Sequence, residues 1–232
     1  MTDGADFLGY IVRPQYRLVR RRVVGNLREK LAAFEQAQVS AQHVRLPLAA
    51  REALRATLAS YLGHFQHAET ERLIQQLFNR YPWLSWLFRR TPGGQLRSNW
   101  QPMSVTSLRS QVDWFRQSFA ADLRPDAAAP LITAVQLGSR VALFGGDAKR
   151  TQQSLPWAWR WRSTRHEQRQ GLGEGVSWPL SHLKGLGRGL RKAGLPYLFV
   201  AEEGYLPGGM KRRVLRYLFL GSDHDPLLQV RA

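Results

Sequence analysis

The chain has 232 residues, with 34 Lys plus Arg against 17 Asp plus Glu, six His and no Cys, giving a formal net charge of +17. At 44% hydrophobic and 11% aromatic residues it can bury one or two cores, which excludes a wholly disordered chain, and its length allows one or two domains. The lack of Cys excludes disulfides, thiolate metal sites and a Cys nucleophile, and the His residues lack paired ligand spacing, so no cofactor is expected in this chain. No uncharged apolar run reaches the roughly 18 residues of a membrane span, and the opening MTDGADFLGY has neither a basic nor an apolar leader segment. A cytoplasmic protein with no membrane partner is the expectation.

The basic excess is arginine, 29 Arg to 5 Lys. Arginine keeps its charge at any physiological pH and presents a planar fork that matches phosphate oxygens and stacks on bases. A GC-rich genome would raise the Arg-to-Lys ratio, but it does not account for the net charge. Division at residue 124 leaves both halves about equally basic, so a polyanionic partner would touch both.

In chain order, Phe7 to Leu18 (FLGYIVRPQYRL) has strand character interrupted at Arg13-Pro14-Gln15, which predicts a β-hairpin. From Val19 to Gln38 the period becomes helical: Val23, Val24, Leu27, Leu31 and Phe34 form one stripe, with Arg20, Arg21, Arg22, Arg28 and Lys30 at the start and on the other face. Cations in a first helical turn oppose the helix dipole, so those arginines are not explained by helix stability. A loop containing Pro47 precedes predicted helices at 49–63 and 68–78, which complete a small bundle. The stretch 81–88 is aromatic and punctuated by Pro, and TPGGQLRSNWQPM at 91–103 has linker composition.

The second half opens with a predicted helix over 105–121, capped by Ser104. Strands are predicted at 131–135, 141–144, 157–161, 195–201 and 214–220, with helices at 148–154 and 179–193, the latter weakened by three glycines. Strands interleaved with helices imply a mixed sheet covered by helices. The predicted fold is α+β or mixed, divided as 1–90, a linker at 91–104, and 105–232.

Two stretches carry family resemblances. Phe7-Leu8-Gly9-Tyr10 in a hairpin, followed by a basic helix and by Ser60-Tyr61-Leu62-Gly63-His64-Phe65 with His67-Ala68, resembles the primer-grip hairpin and thumb of bacterial reverse transcriptases of the group II intron, retron and diversity-generating type. Residues from Gly138 through Phe144 to Asp147-Ala148-Lys149-Arg150, then Gly175-Val176-Ser177, Leu183 to Gly194, Glu202 and Gly209 to Val214 are similar to the N-terminal domain of MutS proteins. Together these resemblances imply a β-hairpin with a helical thumb-like bundle, then a mixed-sheet α/β domain like MutS domain I. The implied role is to hold template-primer as the C-terminal region of an RNA-directed DNA polymerase. The Tyr-x-Asp-Asp motif and further Asp of that family's palm have no match in this chain. The aligned positions of the MutS Phe-x-Glu carry Arg140 and Ala142, which leaves no ring or carboxylate to read a mismatch.

The residues expected to contact nucleic acid are Tyr10, Arg13, Arg20, Arg21, Arg22, Arg28, His64 and His67 in the first region. In the second they are Arg140, Lys149, Arg150, Arg160, Arg162, Lys211, Arg212 and Arg213. Tyr10 serves equally as hairpin packing, His64 and His67 as helix packing, and Arg20, Arg21 and Arg22 as a solvated face. Trp157, Trp159 and Trp161 with Arg160, Arg162 and Arg165 read either as a stacking surface for single strands or as a buried sheet face. The expected partner is an RNA/DNA hybrid, structured RNA or duplex DNA. The alternatives are a module docking on a palm-bearing polymerase subunit or another acidic partner, and a MutS-like DNA binder without mismatch reading.

Overall fold

A computed structural model describes residues 5–7, 9–40, 43–91, 95–102, 105, 107–120, 131–155, 157 and 171–221. The chain divides into two compact units, Met1–Ser40 with Leu46–Leu84, and Ala41–Arg45 with Ser85–Ala232. The architecture is mixed α and β, as the alternation of periods predicts.

In the first unit, β1 (Ala5–Phe7), β2 (Tyr10–Val12) and β3 (Arg17–Val19) form an antiparallel three-stranded meander. The predicted turn at Arg13-Pro14-Gln15 joins β2 to β3, closed by the Arg13 amide donating to Tyr16 at 2.9 Å. A further strand precedes it because Gly9 takes φ +89°, a left-handed geometry that turns the chain between β1 and β2. Helix α1 (Arg21–Gln38) buries Leu27 and Leu31, two positions of the predicted stripe, and is followed by β4 (Val39–Ser40). Helix α2 (Leu48–Phe65) packs on α1 and buries Leu54, Leu58 and Phe65. Helix α3 (Glu71–Arg80) contributes Leu77. Phe34 stacks on buried Trp83 with centroids 4.9 Å apart, and the Trp83 indole donates to Glu35 at 2.9 Å.

The unit boundary falls within α4 (Trp83–Leu87). In the second unit six strands lie in the order β10-β9-β8-β11-β12-β5. These are β5 (His43–Arg45), β8 (Ile132–Leu137), β9 (Arg140–Phe144), β10 (Gly175–Pro179), β11 (Tyr197–Tyr205) and β12 (Lys211–Phe219), with β8 and β11 parallel and the other pairs antiparallel. A separate hairpin joins β6 (Phe88–Arg90) to β7 (Leu96–Ser98). Thus part of the stretch with linker composition is structured. Trp100 is buried, meets Phe88 edge-on, and its carbonyl accepts from the Leu215 amide at 2.7 Å.

Helices α5 (Leu108–Ala120), α6 (Gly146–Ser154) and α7 (Leu183–Lys192) cover the sheet, and a single 3₁₀ turn, Leu180–His182, leads into α7. Alternate strand residues Ile132, Ala134, Tyr197, Phe199 and Phe219 pack with Leu186 and Leu190 of α7 in one core. Asp147 of α6 is 5% exposed and ties three elements together. Its carboxylate accepts from Arg116 of α5 at 2.9 Å, Arg150 at 2.7 Å and the Thr133 amide at 3.2 Å. Among the described residues no helix is long and apolar enough to cross a membrane.

Candidate functional site

A cluster of positive charge in the second unit lies between α7 and the β11, β12 and β5 end of the sheet. Leu183, Leu186 and Leu190 set the buried side of α7, leaving Lys184, Arg188 and Arg191, four and three residues apart, along its flank. Gly187 lets the helix approach closely: a Cβ there would lie 2.6 Å from the Tyr197 hydroxyl. These flank residues, with Arg45 of β5 and Arg216 of β12, surround a cleft of about 620 Å³ floored by Tyr197, Phe199 and Tyr217.

Arg191 is oriented by two hydrogen bonds on the cleft floor. Its Nη1 donates to the Tyr197 hydroxyl and to the Tyr217 hydroxyl, both at 3.0 Å. Burial, reinforced by neighbouring Tyr217, pushes the Tyr197 hydroxyl well above the ordinary tyrosine range despite the opposing pull of Arg191. Arg191 is therefore held in place by a neutral phenol, and its charge is not cancelled by its partner. No ion pair joins Arg45, Lys184, Arg188 or Arg191 to a carboxylate among the described residues. Arg216 meets Glu203 at 3.7 Å. His43 stacks on Tyr217 with centroids 5.4 Å apart. Burial, then the charges of Arg45 and Arg191, hold its pKa below the usual histidine value, which keeps the imidazole neutral near pH 7.

The residues expected from sequence occupy other places. In the first unit Tyr10 and His64 come together as a packed pair, with the hydroxyl donating to the His64 carbonyl at 2.6 Å. Arg13 donates to the Tyr16 hydroxyl at 2.8 Å. Arg20 is the residue before α1 and its amide donates to the Gly9 carbonyl at 2.9 Å. Arg21, Arg22 and Arg28 are exposed on α1, whose first turn has no acidic residue. His67 is exposed beside Gln66.

In the second unit most of the expected arginines have partners inside the fold. Arg140 donates to the Ser177 hydroxyl and carbonyl, Arg150 pairs with Asp147, and Arg212 donates to the Glu203 carbonyl. Arg213 is buried against Glu202 at 3.2 Å. Lys149 is exposed, and Lys211 lies over the Tyr205 ring at 4.5 Å, a contact that raises its pKa chiefly through its hydrogen bond to Tyr205. Arg160 and Arg162, with Trp159 and Trp161, lie outside the described residues, as does Ser104. None of the described second-unit residues expected from sequence lines the cleft. Its one sequence signal is the spacing of Lys184, Arg188 and Arg191 along a helix that three glycines weaken.

Among the described residues no three His, Asp or Glu side chains are placed to hold a metal ion. No protein-family model matches the sequence, and no curated protein matches it either.

Proposed function

We propose that the protein holds nucleic acid through strand phosphates, as a cytoplasmic protein whose role resembles that of the primer-holding region of a reverse transcriptase. The observation that carries this reading is the convergence of Arg45, Lys184, Arg188 and Arg191 on one cleft, none of them ion-paired to a carboxylate among the described residues. A fold does not gather unneutralised cations for its own stability, because they repel one another; a polyanion removes that cost. The exposed Arg21, Arg22 and Arg28 on α1 supply a second positive surface in the first unit, consistent with the net charge of +17.

The test is binding of the full chain to labelled hybrid, duplex and single strand of one sequence at increasing salt. Four cleft contacts to a single strand give a slope of about −2.8 in log affinity against log salt, roughly a fiftyfold loss between about 50 and 200 mM. The doubly charge-reversed K184E/R188E variant is expected to bind more weakly with a shallower slope. Absence of binding to all three ligands at low salt overturns the proposal.

A further inference from the structure

The cleft differs from a surface stripe in two ways that bear on its ligand. It is a half-open concavity of about 620 Å³, in the size range of small-ligand sites and far below what a duplex occupies. Its aromatic floor also offers no free ring on Tyr217, which is stacked by His43 at 5.4 Å and by Tyr197 at 5.6 Å. Tyr197 is itself 3% exposed. A base entering the cleft finds no open face to stack on, so recognition rests on the cations.

Those cations are dense for their volume. An internal phosphodiester carries one negative charge, whereas a terminal phosphomonoester carries about 1.5 to 2 at neutral pH and three acceptor oxygens. Arg191, already oriented by two phenol hydroxyls, keeps further N–H groups on its planar fork, the geometry that matches two oxygens of one phosphate. Lys184 and Arg188 are exposed and flank it along α7.

Resting on the nucleic-acid reading above, we infer that the cleft between α7 and β5, β11 and β12 captures the phosphorylated end of a strand, coordinating a terminal phosphomonoester with Arg191, Arg188 and Arg45 and reading no base. A chain interior offers each cation a singly charged phosphodiester, while an end brings the added charge and third acceptor oxygen of the phosphomonoester. The 5′ and 3′ phosphomonoesters share this chemistry.

The experiment compares one short single strand with a 5′-phosphate, a 3′-phosphate or hydroxyls at both ends. A strand one nucleotide longer with hydroxyl ends controls for added charge. Binding of the full chain is expected to be about tenfold tighter for at least one phosphorylated strand than for either hydroxyl-ended strand, the worth of one or two charge-assisted hydrogen bonds. The better of the two phosphorylated strands names the end recognised. Arg188→Gln and Lys184→Gln, both at exposed positions, are expected to shrink the preference, with thermal unfolding showing that the fold is kept. Arg191→Lys, which keeps the charge but removes the fork, is expected to abolish it. Equal salt-sensitive affinity for all four strands overturns the end-capture inference and leaves the nucleic-acid reading standing, whereas absence of binding to any strand overturns both.

Discussion

Tyr10 lies flat against His64, with ring centroids 4.2 Å apart and an interplanar angle of 19°, while its hydroxyl donates to the His64 carbonyl at 2.6 Å. Gly9 lies beneath the same imidazole: a Cβ there would come within 3.2 Å of the ring, at a φ of +89°. The meander is thereby fastened to the last turn of α2. Removing the hydroxyl in Tyr10→Phe is expected to lower stability by about 1 kcal/mol, read by urea unfolding of the full chain. Nucleic-acid affinity is expected to stay within about twofold, because the hydrogen bond is internal; a larger change would make Tyr10 a contact residue.

The glycines of α7 make opposite predictions within one turn of helix. A Cβ at Gly185 meets nothing within 4 Å, whereas one at Gly187 collides with the Tyr197 hydroxyl. Gly185→Ala is expected to raise stability by up to about 1 kcal/mol through helix propensity. Gly187→Ala is expected to lower it, since the clash must displace the phenol from Arg191. Thermal unfolding of the two variants checks the contrast, and equal shifts of the same sign would refute the close packing.

Asp147 neutralises Arg116 and Arg150 from a buried position. Asp147→Asn retains the shape and removes the charge. Breaking a fully buried pair costs about 3–5 kcal/mol, and because both arginines are partly exposed a loss of about 2–3 kcal/mol is expected. Chemical denaturation of the full chain measures it, and a change below about 1 kcal/mol would show the carboxylate to be dispensable.

His43 gives the second unit a pH dependence of known sign. Its pKa is lowered in the folded protein by burial and by Arg45 and Arg191, so the unfolded chain takes up the proton first as pH falls. The contribution of neutral His43 is complete above the ordinary value of 6.5 and is lost as pH drops through 6.5 toward the lowered folded value. His43→Gln is expected to flatten this part of the stability profile between about pH 7.5 and 5.5, measured by urea unfolding at each pH. A wild-type profile that the variant leaves unchanged would exclude the histidine as its source.

The long elements were legible because periodicity reports burial of a face. Leu27 and Leu31 in α1, and Leu54 and Leu58 in α2, recur at helical spacing and are buried. The short strands were not. His43–Arg45 has three residues and a single buried side chain, Val44, too little for any period to emerge, and its partner Phe219 is remote in sequence. Strand β10, Gly175–Pro179, contains Gly, Ser and Pro and is strand only because β9 pairs with it. The cleft was hidden for a similar reason. Arg188 and Arg213 are identical as letters, and what separates them is that Glu202 meets Arg213 inside the fold, whereas among the described residues no carboxylate meets Arg188. Charge is countable in a sequence, whereas compensation of charge is a property of tertiary contacts.

The placement of β5 bears on how the protein is made. During synthesis His43–Arg45 emerges between two helices that can pair at once, yet the strand that receives it, β12, is translated only after every other described strand. A pair of strands made so far apart in time closes by non-local pairing, the slow kind. Arg45 reaches the cleft by that pairing. The cleft is thus among the last features to form, and a nascent chain stalled before Lys211 would carry the cations of α7 without the strand wall that faces them.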